Sequence, residues 1–169
     1  MTARVGQGFD AHRLVAGRAL WLGGIQVPHD RGLEGHSDGD ALLHAIMDAL
    51  LGALARGDLG SHFPSSDESL RGIASAELLG RVVEQMAAAG LAVGNLDATV
   101  VAEAPRLAPH QPAMRARVAA LLDAPVEAVN IKITSTDGLG AIGRGEGIAA
   151  QAVVLLVPRD VASAGRPDG

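Results

Sequence analysis

Asp40-Ala41-Leu42-Leu43-His44-Ala45-Ile46-Met47-Asp48-Ala49-Leu50-Leu51-Gly52-Ala53-Leu54 reads as a helix that is apolar on almost every face. A surface helix shows an apolar stripe, whereas a helix apolar all round is buried. Residues 40–54 therefore predict a central helix with a domain built around it. Strand patterns lie on both sides: residues 4–14 and 19–27 upstream, with Gly17 as the turn between them, and 96–102, 129–136 and 148–157 downstream. Ser75 reads as the N-cap of a second helix, with the face Leu78, Leu79, Val82, Val83 and Met86 and a stop at Gly90. A third helix starts near Pro112, carries Met114, Val118, Leu121 and Leu122, and ends before Pro125. Residues 29–39 and 57–69 read as loops. Strands alternating with helices predict an α+β fold: a two-layer sandwich in which helices cover one face of a single mixed sheet. Residues 1–157 are expected to form one domain and 158–169 a loose tail.

The chain has 169 residues, 48% hydrophobic and 20% charged, which is enough apolar material for a core and argues against disorder. No apolar run approaches the roughly 20 residues that span a bilayer. With no cysteine, disulfides and thiolate metal sites are excluded. Nucleic-acid binding is not expected from a net charge of −5 with 2% aromatic residues. No basic leader with a small-residue cleavage site opens the sequence, so a cytoplasmic location is expected. Lys132 is the only lysine among 14 basic residues.

Asp40, His44 and Asp48 interrupt the apolar helix at i, i+4 and i+8, and so share one stripe. Buried ionisable groups need partners. A histidine between two aspartates can form a self-satisfied structural network, but the first strand offers a second possibility. Asp10 and His12 are two residues apart, so both leave the same face of an extended strand. Two imidazoles and one carboxylate suit zinc with its fourth position open, as catalysis requires. Asp48 or Asp40 would then orient His44 from behind.

Two loops have the makings of phosphate sites. His36-Ser37-Asp38-Gly39 precedes the buried helix, where Ser37 or Asp38 would be the N-cap beside free N–H groups. In residues 132–147, Lys132, Thr134 and Thr136 share one strand face, followed by Asp137 and five glycines. Gly138-Leu139-Gly140-Ala141-Ile142-Gly143 matches a dinucleotide fingerprint, but a strand rather than a helix follows, so the match is rejected. Gly35-His36-Ser37-Asp38-Gly39 matches a nucleophile elbow, with Asp97 and His110 downstream in hydrolase order. The polar stretch before Ser37 is no buried strand, which leaves a serine hydrolase as an alternative only. A non-catalytic nucleotide-binding module is another, expected if Asp10, His12 and His44 do not converge.

Gly8-Phe9-Asp10-Ala11-His12, His36-Ser37-Asp38-Gly39-Asp40, Gly57-Asp58-Leu59-Gly60, Phe63-Pro64, Ala104-Pro105-Arg106, Pro109-His110 and Gly143-Arg144-Gly145-Glu146-Gly147 occur in this order along nearly the whole chain. Together they resemble the 2-C-methyl-D-erythritol 2,4-cyclodiphosphate synthases. The resemblance implies an enzyme of non-mevalonate isoprenoid synthesis, a metal-dependent phosphorus–oxygen lyase. Its substrate would be 4-diphosphocytidyl-2-C-methyl-D-erythritol 2-phosphate, cyclised with release of CMP. It further implies a homotrimer with active sites between subunits. By the same resemblance Asp10, His12 and His44 hold one zinc per subunit, and Asp137 a second divalent cation, magnesium or manganese. His36 and Ser135 would stabilise the transition state, with Ser37 on phosphate. Asp58, with Leu59 and Gly60 beside it, would bind ribose. Phe63, Pro64, Ser65, Ser66 and Asp67 would line the methylerythritol pocket. Ala102, Glu103, Ala104, Pro105, Arg106, Leu107 and Ala108 would line the cytosine pocket. Thr134, Thr136 and Arg144 would complete the diphosphate side.

The chain departs from the family pattern at four positions. Asp137 stands for a usual glutamate, which shortens its reach to a cation. Ser65 stands for an aspartate, leaving Asp67 to meet a hydroxyl. Ala141 stands for a frequent phenylalanine facing the trimer channel, and Ser135 for a threonine whose hydroxyl it keeps.

Overall fold

In a computed structural model, which describes residues 2–159, β1 (Arg4–Ala16) carries Asp10 and His12. A hairpin follows, β2 (Leu20–Leu22) and β3 (Ile25–Val27), then β4 (Arg31–Leu33) and the buried helix α1 (Ala41–Leu54). Next come a short helix α2 (Leu59–His62), α3 (Ser75–Ala88), β5 (Leu91–Val101), α4 (Gln111–Leu121) and β6 (Val129–Thr134). One helical turn, α5 (Gly140–Gly143), leads into β7 (Gly147–Pro158).

The main sheet runs β4-β1-β7-β5-β6. Only β5 and β6 are parallel; the remaining pairs are antiparallel, so the sheet is mixed as expected. Its helix-side face packs on α1, of which twelve residues are buried. Gly6 and Gly8 let α1 approach β1: a Cβ on Gly6 would stand 1.9 Å from the Ala49 carbonyl oxygen. Among the described residues no helix covers the opposite face, where Val5, Phe9 and Val153 are 67, 59 and 42% exposed. Among the described residues no helix is long and apolar enough to cross a membrane.

Several boundaries differ from the sequence expectation. The strand expected over 19–27 is a hairpin broken at Gly23-Gly24, whose N–H groups turn inward to the carboxylate of Asp40. β4 forms inside the expected loop 29–39, because Arg31 to Leu33 pair with the end of β1. β5 begins at Leu91 rather than 96, since a register shift at Gly94 breaks the alternation there. β6 stops at Thr134, so Thr136 lies beyond the strand. Asp40, rather than Ser37 or Asp38, caps α1, accepting the Leu43 N–H at 3.0 Å. That carboxylate fills the helix end, so it presents no open anion site. Ala74 rather than Ser75 holds the cap position of α3. The strand β7 reaches Pro158, paired with Leu91, one residue past the expected domain edge. Residues 160–169 of the expected tail lie outside the described residues.

Candidate metal centre

Strand alternation puts Gly6, Gly8, Asp10 and His12 on the face of β1 that meets α1. His44 points at this face from the start of α1. Asp10 Oδ2 lies 2.8 Å from His12 Nε2 and 2.9 Å from His44 Nδ1, and the two ring nitrogens are 3.0 Å apart. Ligands held by a tetrahedral zinc ion stand about 3.3 Å from one another. Asp10, His12 and His44 form the only such group of metal-capable side chains among the described residues.

Hydrogen-bond polarity says what this cluster lacks. The other nitrogen of His12, Nδ1, faces the Glu34 carbonyl and must donate to it, so neutral His12 presents a bare Nε2. On His44 the rear nitrogen, Nε2, is 2.9 Å from Ser75 Oγ and 3.1 Å from Ser37 Oγ. Ser75 spends its own proton on Asp38 Oδ1 and therefore accepts from His44, which leaves Nδ1 bare. Three lone pairs, from one oxygen and two nitrogens, then converge on one point. Only a cation satisfies that arrangement, either a proton or a metal ion, and the donor set fits zinc. Burial opposes charge on Asp10, yet where His12 and His44 carry protons on the nitrogens that face it, their hydrogen bonds and positive charge prevail and hold its carboxyl far below the ordinary range. Burial likewise disfavours protonated His12, but the Asp10 carboxylate outweighs it and raises the imidazole above its ordinary value.

The trio opens into a cavity of about 270 Å³, with His36, Phe63 and Ser65 among its walls. Leu59 and Gly60 of α2 also line it. His36 Nε2 donates to the Asp67 carbonyl at 2.9 Å, tying the residue 63–70 segment across the cavity. Asp67 itself caps a 3-10 turn by accepting from Ser69, and its carboxyl is lowered by those bonds. Asp58 caps α2 by accepting the Ser61 hydroxyl and N–H, which lower its carboxyl in the same way. Ser37 also lines the cavity, but it is buried and its hydroxyl stands 3.1 Å from His44 Nε2.

The remaining expected site residues lie elsewhere. One row across the sheet joins Ala11, Ala149, Val101 and Thr134. Thr134 is therefore level with Asp10 and His12 but three strand spacings, about 14 Å, away. Ser135, Thr136 and Asp137 continue from Thr134. Asp137 has φ +52° and accepts the Ser135 hydroxyl at 3.0 Å. Ala102 is hydrogen-bonded to Thr134, and its chain continues through a cis Ala104–Pro105 peptide, with Arg106 and Ala108 beyond. Leu107 is buried in the core. Ala141 is in α5, and Arg144 just after it pairs with Glu146. None of these residues lines the metal-side cavity of the same chain.

Neither aspartate expected behind His44 is there. Asp40, fully buried, accepts the N–H groups of Gly23, Gly24 and Leu43; burial pushes its carboxyl up, and these bonds oppose the shift. Asp48 accepts the Leu59 N–H, and burial raises its carboxyl also. Ser75 and Asp38 are the partners that sequence reasoning missed. In the sequence Ser75 reads as a helix cap, and no periodicity links it to a histidine 31 positions earlier. Arg18 was missed as well; it braces the site loop by donating to the carbonyls of Gly35 and Ser37. The hydrolase alternative fails on geometry, because Asp97 pairs with Lys132 and Asn130 on the uncovered sheet face, remote from Ser37.

Residues 3–157 match the model of the YgbB family. The chain is 58% identical over 153 residues to the 2-C-methyl-D-erythritol 2,4-cyclodiphosphate synthase of Salinibacter ruber, covering 90% of this chain and 98% of that one. It is 52% identical over 160 residues to the bifunctional enzyme IspD/IspF of Erythrobacter litoralis, covering 95% of this chain but only 42% of that longer protein. Among solved structures it resembles the CDP complex of IspF from Plasmodium falciparum, with a TM-score of 0.81 and 29% identity over 92% of this chain and 96% of that one. With the converging Asp10, His12 and His44 in a fold of this topology, the chain belongs to the YgbB family of 2-C-methyl-D-erythritol 2,4-cyclodiphosphate synthases.

Proposed function

We propose that this chain converts 4-diphosphocytidyl-2-C-methyl-D-erythritol 2-phosphate to 2-C-methyl-D-erythritol 2,4-cyclodiphosphate and CMP, as a homotrimer with active sites between subunits. The observation that carries this reading is the convergence of Asp10, His12 and His44 beside a cavity, in a chain matched by the family model over residues 3–157. An oxygen of the 2-phosphate bonds to the β-phosphorus. The bond from that phosphorus to the oxygen bridging to the α-phosphorus breaks, and its electron pair leaves on CMP. Such transfers need in-line positioning and charge neutralisation rather than a protein nucleophile. Zinc held by Asp10, His12 and His44, and magnesium or manganese at Asp137, supply Lewis acidity and charge neutralisation to the diphosphate when bound.

The protein's own groups hold the substrate in line. His36 and Ser135 donate to phosphoryl oxygens in exchange for the Asp67 carbonyl and the Asp137 carboxylate they hold here, and Arg144 adds a fixed positive charge. Ser37 steadies the phosphate side through the loop it anchors. Asp58 accepts from the ribose hydroxyls, and the residue 63–67 segment closes on the methylerythritol carbons. The segment 102–108 receives cytosine; that a cytidine nucleotide is the ligand is supported by the CDP complex of the Plasmodium falciparum relative. About 14 Å separates Thr134 from the metal side within one chain, so the two halves of each site come from neighbouring copies. The uncovered sheet face, with Phe9, Val5 and Val153 exposed, is the surface such copies would bury.

The test is incubation of the chain with the diphosphocytidyl substrate, zinc and magnesium, followed by phosphorus NMR. Stoichiometric CMP and a cyclic diphosphate are expected, both lost on chelation. A linear phosphate product, or turnover that survives chelation, would overturn the assignment.

A further inference from the structure

The side chains behind His44 form a directed chain of hydrogen bonds that nothing in the proposed chemistry uses. Asp38 Oδ2 accepts the Ser75 N–H at 2.9 Å and its Oδ1 accepts the Asp40 N–H at 3.2 Å. Oδ1 also accepts the Ser75 hydroxyl at 2.5 Å. A carboxylate has no proton to return, so the polarity of the Ser75–Asp38 bond is not reversible. Ser75 has no exposure at all and cannot exchange its proton partner for water. Its two lone pairs are left to His44 Nε2 at 2.9 Å and Ser37 Oγ at 3.3 Å. Ser37 Oγ, 3.1 Å from the same nitrogen, accepts the Gly39 N–H at 3.2 Å and has Ser75 Oγ at 3.3 Å to take its own proton, so it too can accept from His44.

We propose that Ser75 and Asp38 are positioning residues that fix His44 in its Nε2–H tautomer and so aim the Nδ1 lone pair at the metal position. Neutral imidazole in water distributes its proton over both nitrogens, and only one form ligates through Nδ1. A buried acceptor on the far nitrogen removes the other form and holds the ring plane. Asp38 acts at one remove: its charge decides which way the Ser75 hydroxyl points, and that hydroxyl decides which nitrogen carries the proton.

This inference rests on the metal reading of the site, but its first measurement needs no metal. In metal-free full-length protein at about pH 9, above the ordinary imidazole range, nitrogen chemical shifts of the His44 ring report its tautomer, with His44→Gln providing the assignment. The unsubstituted protein is expected to show Nε2–H alone. Asp38→Asn reverses the polarity: its oxygen stays with the Ser75 N–H, its amide donates to Ser75 Oγ, and the hydroxyl turns to donate to His44 Nε2. His44 is then expected as Nδ1–H, with zinc affinity lower by about 10–100-fold in competition with a chromophoric chelator. Ser75→Ala is expected to give both tautomers and an intermediate affinity, and Ser75→Thr to restore the single form. An unchanged His44 tautomer in Asp38→Asn and Ser75→Ala overturns the proposal even if affinity falls, because the loss is then merely structural. A changed tautomer with unchanged affinity overturns its second half. If Asp38→Asn does not fold, the Ser75 pair decides alone. Failure of the unsubstituted protein to bind zinc would instead count against the metal reading, leaving the tautomer measurement standing.

Discussion

Gly8 of β1 and Ala45 of α1 are packed so closely that a Cβ on Gly8 would stand 2.0 Å from the Ala45 carbonyl oxygen. The contact is backbone on backbone, so no side-chain rotation relieves it, and it lies one turn of α1 below the metal trio. Gly8→Ala must push α1 off β1, carrying His44 away from Asp10 and His12. Its expected cost is about 2–4 kcal/mol, read as a lower midpoint in thermal unfolding, together with loss of zinc binding. Gly80 provides the control: it is helical, with open space where a Cβ would go. Gly80→Ala should stabilise the protein by up to about 1 kcal/mol with zinc binding intact. Equal effects at the two positions would contradict the packing argument.

Asp40 holds three backbone N–H groups at zero exposure, joining the β2–β3 turn to the start of α1. Asp40→Ala orphans all three, at an expected cost of about 3 kcal/mol or more in denaturant unfolding. Asp48→Asn, at a site where one N–H is at stake and the carboxyl is only half-buried, should cost less than half as much. Parity between them would show that the Asp40 bonds are not what secures the helix end.

Protonated His12 has no lone pair to offer a metal, and Asp10 raises the His12 imidazole above 6.5. Below that raised value zinc must displace a proton, so affinity should fall by about tenfold per pH unit on the acid side. Asp10, held far below its ordinary range, stays ionised throughout and adds no slope. Metal-free stability follows the opposite sign. A raised His12 pKa contributes stability in full below pH 6.5, and that contribution disappears as pH rises through the folded value. Zinc should therefore raise the unfolding midpoint most on the alkaline side. Calorimetry in buffers of differing ionisation heat checks the proton count, and a pH-independent affinity would contradict it.

Phe9 is 59% exposed on the uncovered sheet face, flanked by the likewise exposed Val153. Phe9→Glu places a charge where copies are proposed to meet, and sedimentation velocity should show monomers in place of trimers. CMP release should vanish with the trimer although zinc still binds. A monodisperse trimer in Phe9→Glu would relocate the interface.

Mixing tests whether sites are shared between copies. His44→Gln and Ser135→Ala, each expected to be inactive alone, strike the two halves separately. Trimers re-formed from an equal mixture should contain about a quarter of sites with both halves intact. No recovered CMP release, with mixed trimers verified by native mass spectrometry, would place both halves of a site in the same chain.

The parts of this molecule legible from residue order are those set by short-range geometry. Asp10 and His12 had to share a strand face because they are two apart, and the apolar run 41–54 had to be buried. The partners of those groups were not legible. The spacing of Asp40 and Asp48 around His44 suggested that they support it, yet Asp40 turns to Gly23 and Gly24 and Asp48 to Leu59. An i±4 relation allows contact without requiring it, and a fully buried carboxylate takes whichever N–H groups the packing brings. Likewise β4 is invisible in the polar stretch 29–39, because pairing with Leu14 and its neighbours, not propensity, makes it a strand.

Backbone periods of two and 3.6 residues act within a few positions, so they already place the three donor side chains on facing surfaces of a strand and a helix. Which ring nitrogen of His44 bears a proton depends on Asp38, in the loop before α1, and on Ser75, which the docking of α3 brings up from far along the chain. That Thr134 is level with His12 yet three strands off depends on β7 and β5 threading between them. Hydrogen-bond partnership and strand order are settled by through-space packing between remote segments, and no local pattern encodes them.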